Sequence, residues 1–235
     1  LDTSTQVWVR VSTGNRGIDD TTALREQPAL TGVVVPKASP AGLDELVPRL
    51  GGLQVCALVE SAPAVLDLVD IAAHDEVAVL AMGEVDLTAD LGLRPTPAGE
   101  ALWPIRLQAV VASAAHGLEP PLGPVWLDVA DLEGLRSSSE ALRDGGFGAR
   151  QAIHPAQVPL INEVFTPSGE EVAAAEALLA GAAEAGAGVH LDDRGRMVDE
   201  AVLRSARRMV ARAAALAGPQ ADRPRQGIGR PDQTL

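Results

Sequence analysis

Residues 54–86 read QVCALVESAPAVLDLVDIAAHDEVAVLAMGEVD, and they hold two short apolar runs on either side of a helical pattern. The runs QVCALV (54–59) and VAVLAM (77–82) are continuous in hydrophobicity, as strands buried on both faces are. Between them, AVLDLVDIAAH (64–74) places apolar residues three and four apart, the spacing of an amphipathic helix. A strand, a helix and a second strand within 33 residues predict a parallel pair joined by a helical crossover.

Working outward, the same rhythm recurs. Strands are expected at 6–11 (QVWVRV), 31–36 (TGVVVP), 124–129 (PVWLDV) and 150–153 (RQAI), which with the central pair makes six. A further helix is expected over 100–117, closed by Gly117. The class is therefore α/β. An open doubly wound sheet and a closed barrel both answer to this pattern, but the first strands lead into no glycine-rich phosphate loop, which favours the (β/α)8 TIM barrel. Such a barrel has eight strands, so the first two are expected upstream of Leu1 and do not show in this chain.

Two long helical stretches follow the last strand, at 169–188 and 200–218, joined by the polar turn HLDDRGRMVD (190–199). The expected organisation is a barrel domain over 1–166, a C-terminal helical extension or lid over 167–218, and a flexible tail over 219–235, polar and rich in Gly and Pro.

Composition narrows the function. The 235 residues carry 19 basic and 32 acidic side chains, a formal charge of −13, which repels polyanions and argues against a nucleic-acid partner. No 18-residue apolar run is present, so no membrane span is expected. The single cysteine, Cys56, excludes a disulfide framework, reads as a buried packing thiol and makes the cytoplasm the natural compartment.

In a parallel barrel the loops after the strands build the site, so polar residues at strand ends are the ones to weigh. Glu60 and Asp86 follow neighbouring strands, close enough to share a hard divalent cation, and carboxylates without His or Cys favour Mg2+ over zinc. Each acid could equally cap a helix. Arg10 shares one strand face with Trp8, where its guanidinium could hold a structural acid or a substrate carboxylate. Lys37 allows the same two readings, and Asp128, Asp131 and Glu133 read as capping or solvated acids. His154 stands before Pro155, where bracing of the strand exit is the simpler role than proton transfer.

Taken together, VWVRV, VVVPKAS, ALVES, GEVDLTADLG, LDVADLEGL, QAIHPAQV and GRMVDEAVL resemble the citrate lyase beta-subunit family of the HpcH/HpaI aldolase superfamily, the CoA-ester lyases for citryl-, citramalyl- and malyl-CoA. The resemblance implies a (β/α)8 barrel, usually a homotrimer, with Mg2+ at Glu60 and Asp86. It implies that Arg10 binds the carboxylate of a 2-oxo acid, supported by backbone amides around Gly83, Glu84 and Val85. It also implies that Asp199, on the helical extension, reaches a neighbouring subunit's site and acts as acid/base on the acetyl-CoA carbon. The substrates so implied are an acyl-CoA and a 2-oxo acid. Departures stand at Pro63, Ala64 and Val85, in GFGAR (146–150), and in the lack of the acidic stretch that relatives carry on the second strand. A CoA-independent metal-dependent aldolase, a malyl-CoA thioesterase and a non-catalytic barrel that binds an acyl-CoA or a partner are the alternatives.

Overall fold

The computed structural model describes residues 5–96, 99–185, 189–191 and 195–217. The chain divides into two compact units, the first ending at Phe165 and the second beginning at Thr166.

In the first unit, strands β1 (Val7–Arg10), β2 (Leu30–Val35), β3 (Gln54–Val59), β4 (Val77–Met82), β5 (Glu119–Gly123) and β6 (Ala149–Arg150) form one sheet in the order β1-β2-β3-β4-β5-β6. Every neighbouring pair is parallel. A doubly wound sheet reverses its strand order at a switch point, and this one never does, so it is a curled sheet of the half-barrel kind. The connections are helical: α1 (Asn15–Leu24), α2 (Pro40–Leu46), α3 (Ala62–Leu66), α4 (Leu68–Ala72), α5 (Glu84–Asp90), α6 (Trp103–Ala115), α7 (Leu132–Asp144) and, after β6, α8 (Val158–Phe165).

Alternation along the strands sorts side chains onto two faces. Val33, Val55, Val59, Leu80 and Met82 pack with helix residues Leu43, Ile71, Leu87, Ala109 and Leu142 in the larger core. Burying a leucine such as Leu80 contributes about 1.5–3 kcal/mol. Cys56, Leu58, Val79 and Ala81 turn the other way and meet Trp8, Val34 and Leu122. Burial pushes the Cys56 thiol up to about 12, in keeping with a packing role.

Local chemistry sets the helix starts. Ser39, Ser61 and Asp131 accept the amides of Gly42, Ala64 and Gly134, with Pro40 and Pro63 in the first turns of α2 and α3. The helix expected over 64–74 is two short ones, because the backbone leaves helical geometry at Asp67.

Two strands differ from expectation. PVWLDV (124–129) was the expected fifth strand, yet β5 is EPPLG (119–123), and the aromatic, β-branched run lies beyond its end. Pro120 and Pro121 lack amide protons, but β5 takes part through carbonyls: Pro121 O accepts from Gly148 N at 3.0 Å and Gly123 O from Gln151 N at 3.1 Å. The last strand ends at Arg150 rather than Ile153, which is about half exposed.

The second unit pairs α9 (Gly169–Ala185) with α10 (Glu200–Ala217), and β7 (His190–Leu191) runs antiparallel to β8 (Met197–Val198). Ser168 and Glu171 exchange hydrogen bonds in a capping box at the start of α9. The expected tail, 219–235, lies outside the described residues. Among the described residues no helix is long and apolar enough to cross a membrane.

Candidate active site

Glu60 directly follows β3 and continues the inward parity of Cys56 and Leu58. It is 3 % exposed. Its Oε1 accepts the backbone amide of Lys37 at 2.8 Å, from the loop after β2. Lys37 has φ 46°, the only left-handed backbone at a non-glycine position among the described residues. Such a conformation costs a side-chain-bearing residue about 1–3 kcal/mol, and here it aims an N–H at a buried carboxylate.

Gly83, following β4, passes directly over Glu60. Its amide donates to Val59 O at 2.9 Å. A Cβ added there would lie 2.5 Å from Glu60 Cβ and 3.0 Å from Oε2, so only glycine leaves the carboxylate room. Asp86 stands exposed in the first turn of α5. Burial raises the Glu60 carboxyl above the usual range; the Lys37 amide and the Arg10 guanidinium oppose this, while the Asp86 charge and a hydrogen-bonding contact with Asp86 reinforce it. Arg10, exposed at the end of β1, thus shares a field with both acids.

The structure therefore brings Arg10, Glu60, Gly83 and Asp86 to one rim, with Glu84 and Val85 in the same turn. It refines the expected amide donors. The Gly83 amide donates to Val59 O, and the space a Cβ would take at Gly83 is filled by the Glu60 side chain. The Glu84 side chain is committed too, held bidentately by Arg106 at 2.6 and 2.7 Å, with Arg106 stacked 4.9 Å above the Trp103 ring. Val85 is about half exposed. The amides of Glu84 and Val85, in the first turn of α5, have no acceptor within their own helix. Asp199 lies in the second unit, where its Oδ1 accepts the amide of Val202 at the start of α10.

Sequence reasoning missed the polar frame behind the rim. Arg150 donates to Pro124 O at 2.8 Å and Ser139 Oγ at 3.1 Å, and stands 5.4 Å from the Trp126 ring centroid. Burial pushes its guanidinium down to about 10, with the Arg106 charge adding and Glu84 opposing, so it stays charged at neutral pH. Gln157, fully buried, donates to Trp126 O and accepts from Ile153 N. An Arg and two Gln within eight residues of the Ile-His-Pro step were the available signal. His154 itself is exposed and its Nδ1 accepts the amide of Ala156, which caps the turn at Pro155. Asp128 accepts the amides of Ala130 and Asp131 in the loop after β5.

A buried carboxylate facing a second carboxylate fits a hard divalent cation. Among the described residues no cluster of three or more His, Cys, Asp or Glu could hold a metal, and Mg2+ commonly takes only one or two protein carboxylates and keeps several waters.

Comparison with known proteins bears on the same chemistry. The chain is 35 % identical over 189 residues to a (3S)-malyl-CoA thioesterase of Cereibacter sphaeroides, covering 79 % of this chain and 66 % of that protein. It is equally 35 % identical over 192 residues to a citrate lyase subunit beta-like protein of Mycobacterium tuberculosis, covering 79 % and 67 %. The chain thus spans about two thirds of the length of these relatives. The crystal structure of the CitE protein of Mycobacterium tuberculosis in complex with magnesium, acetoacetate and coenzyme A superimposes with a TM-score of 0.73 at 32 % identity, covering 91 % of this chain and 80 % of that one. Residues 2–155 match the family described as HpcH/HpaI aldolase/citrate lyase, and the chain belongs to that family.

Proposed function

We propose that this chain is a Mg2+-dependent carbon–carbon lyase that cleaves or forms a 3-hydroxyacyl-CoA such as citramalyl-, malyl- or citryl-CoA, with acetyl-CoA and a 2-oxo acid as the other side of the equation. The observation that carries the reading is the buried Glu60 carboxyl facing Asp86, with the Arg10 guanidinium beside them. Glu60 and Asp86 would hold the cation, which when bound supplies Lewis-acid polarisation of the oxo-acid oxygens. Arg10 binds the carboxylate of the oxo acid through its two-pronged fork. The Glu84 and Val85 amides add neutral donors at the same end.

Cleavage breaks the bond between the carbinol carbon and the thioester α-carbon. The hydroxyl proton passes to solvent water as the oxo acid forms, and the thioester enolate carbon gains one. Asp199, reaching from the helical extension of a neighbouring subunit, is the acid proposed to deliver it. The same reading takes the six strands as a sector of a (β/α)8 barrel, 167–218 as a lid, and the protein as a cytoplasmic homotrimer or other homo-oligomer.

A second reading is favoured by the malyl-CoA thioesterase relatives: hydrolysis of the thioester at the same site. The test is to offer malyl-, citramalyl- and citryl-CoA with Mg2+ or with chelator, beside Glu60→Ala and Asp86→Ala. Acetyl-CoA with an oxo acid establishes lyase activity, and free CoA with the intact hydroxy acid establishes hydrolysis. Turnover that survives chelation or the Glu60→Ala change would overturn the metal assignment. No turnover by folded protein would favour the binding-module alternative.

A further inference from the structure

Gln151 bridges two strand exits with one side chain. Its Nε2 donates to Met82 O at 3.0 Å and to Gly123 O at 3.2 Å, and its backbone amide also donates to Gly123 O. The last β4–β5 pairing is Ala81 with Leu122, so Met82 and Gly123 each stand one residue past the ladder, where twist begins to separate the strands. A side-chain amide there stands in for the missing ladder bonds. Met82 leads straight into Gly83, which passes over Glu60, and then into the turn that carries Asp86. That exit is tied on one side by Gly83 N to β3 and on the other by Gln151 from beyond β6.

The neighbouring polar side chains do something different. Arg150 reaches Pro124 O and Gln157 reaches Trp126 O, both on the loop after β5. Gln151 is the member of this stretch that reaches β4.

We propose that Gln151 is a positioning residue for the carboxylate pair, anchoring the exit of β4 to β5 so that the turn carrying Asp86, tied to β3 through Gly83 N, stays opposite Glu60. The proposal rests on Glu60 and Asp86 being the Mg2+ ligands. Partners that orient ligands without touching the metal commonly change metal affinity by 10-fold or more when removed.

The experiment is calorimetric titration of the full chain with Mg2+ at one pH, together with thermal melts, for wild type, Gln151→Leu, Gln151→Glu, Gln157→Leu and Glu60→Ala. Gln151→Leu is expected to weaken Mg2+ binding about 10-fold. Gln151→Glu keeps the size but loses the amide donors, and reads the same way should the leucine variant fail to melt cooperatively. Gln157→Leu should lower Tm while leaving Mg2+ affinity within about twofold, because its bonds, to Trp126 O and from Ile153 N, brace the loops after β5 and β6 and reach no residue of β4. Unchanged Mg2+ affinity in a folded Gln151 variant, with binding lost in Glu60→Ala, would overturn the proposal and leave the metal assignment standing. Unchanged affinity in Glu60→Ala, or no binding by wild type, would overturn both.

Discussion

The amide of Lys37, held at φ 46°, donates to Glu60 Oε1 at 2.8 Å. A side chain that turns β-branched at this position meets the left-handed conformation at higher cost. Lys37→Val is therefore expected to lower stability by about 1–3 kcal/mol and to weaken Mg2+ binding, whereas Lys37→Gly keeps the turn and the donor. Urea melts and Mg2+ titrations of the two variants check this. Equal behaviour of valine and glycine would mean that the turn is not what aims the amide.

Acidity should read out the same carboxylate. Glu60 holds its proton to higher pH in the folded chain than the ordinary glutamate value of 4.5, so above that value the folded state binds more protons than the unfolded one. Stability of the metal-free protein then falls as pH rises through the window just above 4.5, while Mg2+ affinity, which needs the ionised carboxylate, rises. Melting temperatures across that window, with and without Mg2+, are expected to diverge as pH rises. Parallel curves would detach Glu60 from the cation.

Arg106 and Glu84 are a buried pair, with side chains 4 % and 11 % exposed. Removing one partner leaves a charge buried without its counterion, so Arg106→Leu should cost about 3–5 kcal/mol. The double change Arg106→Leu with Glu84→Leu should recover much of that loss, since an apolar pair needs no desolvation. Denaturant melts of the single and double variants decide it, and additive losses would rule the coupling out.

His154 is expected to matter for folding rather than turnover. Loss of its Nδ1 acceptor in His154→Ala should cost about 1 kcal/mol, and His154→Asn should restore most of it, because Asn caps well. The pH profile of kcat/KM in His154→Asn should keep the wild-type shape. A lost limb in that profile would make the histidine a proton carrier after all.

Much of this protein is local in origin. The apolar runs of β3 and β4, the helical spacing between them, and the serine and aspartate caps all follow from neighbours in the chain, and they carry the α/β class and the placement of Glu60 and Asp86 at strand ends. Arg10 was legible for the same reason, because alternation along β1 puts it on the face of Trp8. What the sequence alone could not decide depends on partners far along the chain. β5 lies in EPPLG because two prolines can serve a ladder through carbonyls once β4 and β6 are in place, although locally they argue against a strand. Lys37 holds its left-handed turn with its amide on Glu60, 23 residues on. Glu84 is spoken for by Arg106, 22 residues away, and Gln151 meets Met82 across 69 residues. Hydrophobic period and capping are properties of a segment; hydrogen bonds between buried polar groups arise only where tertiary packing removes water and brings donor and acceptor from distant segments within reach.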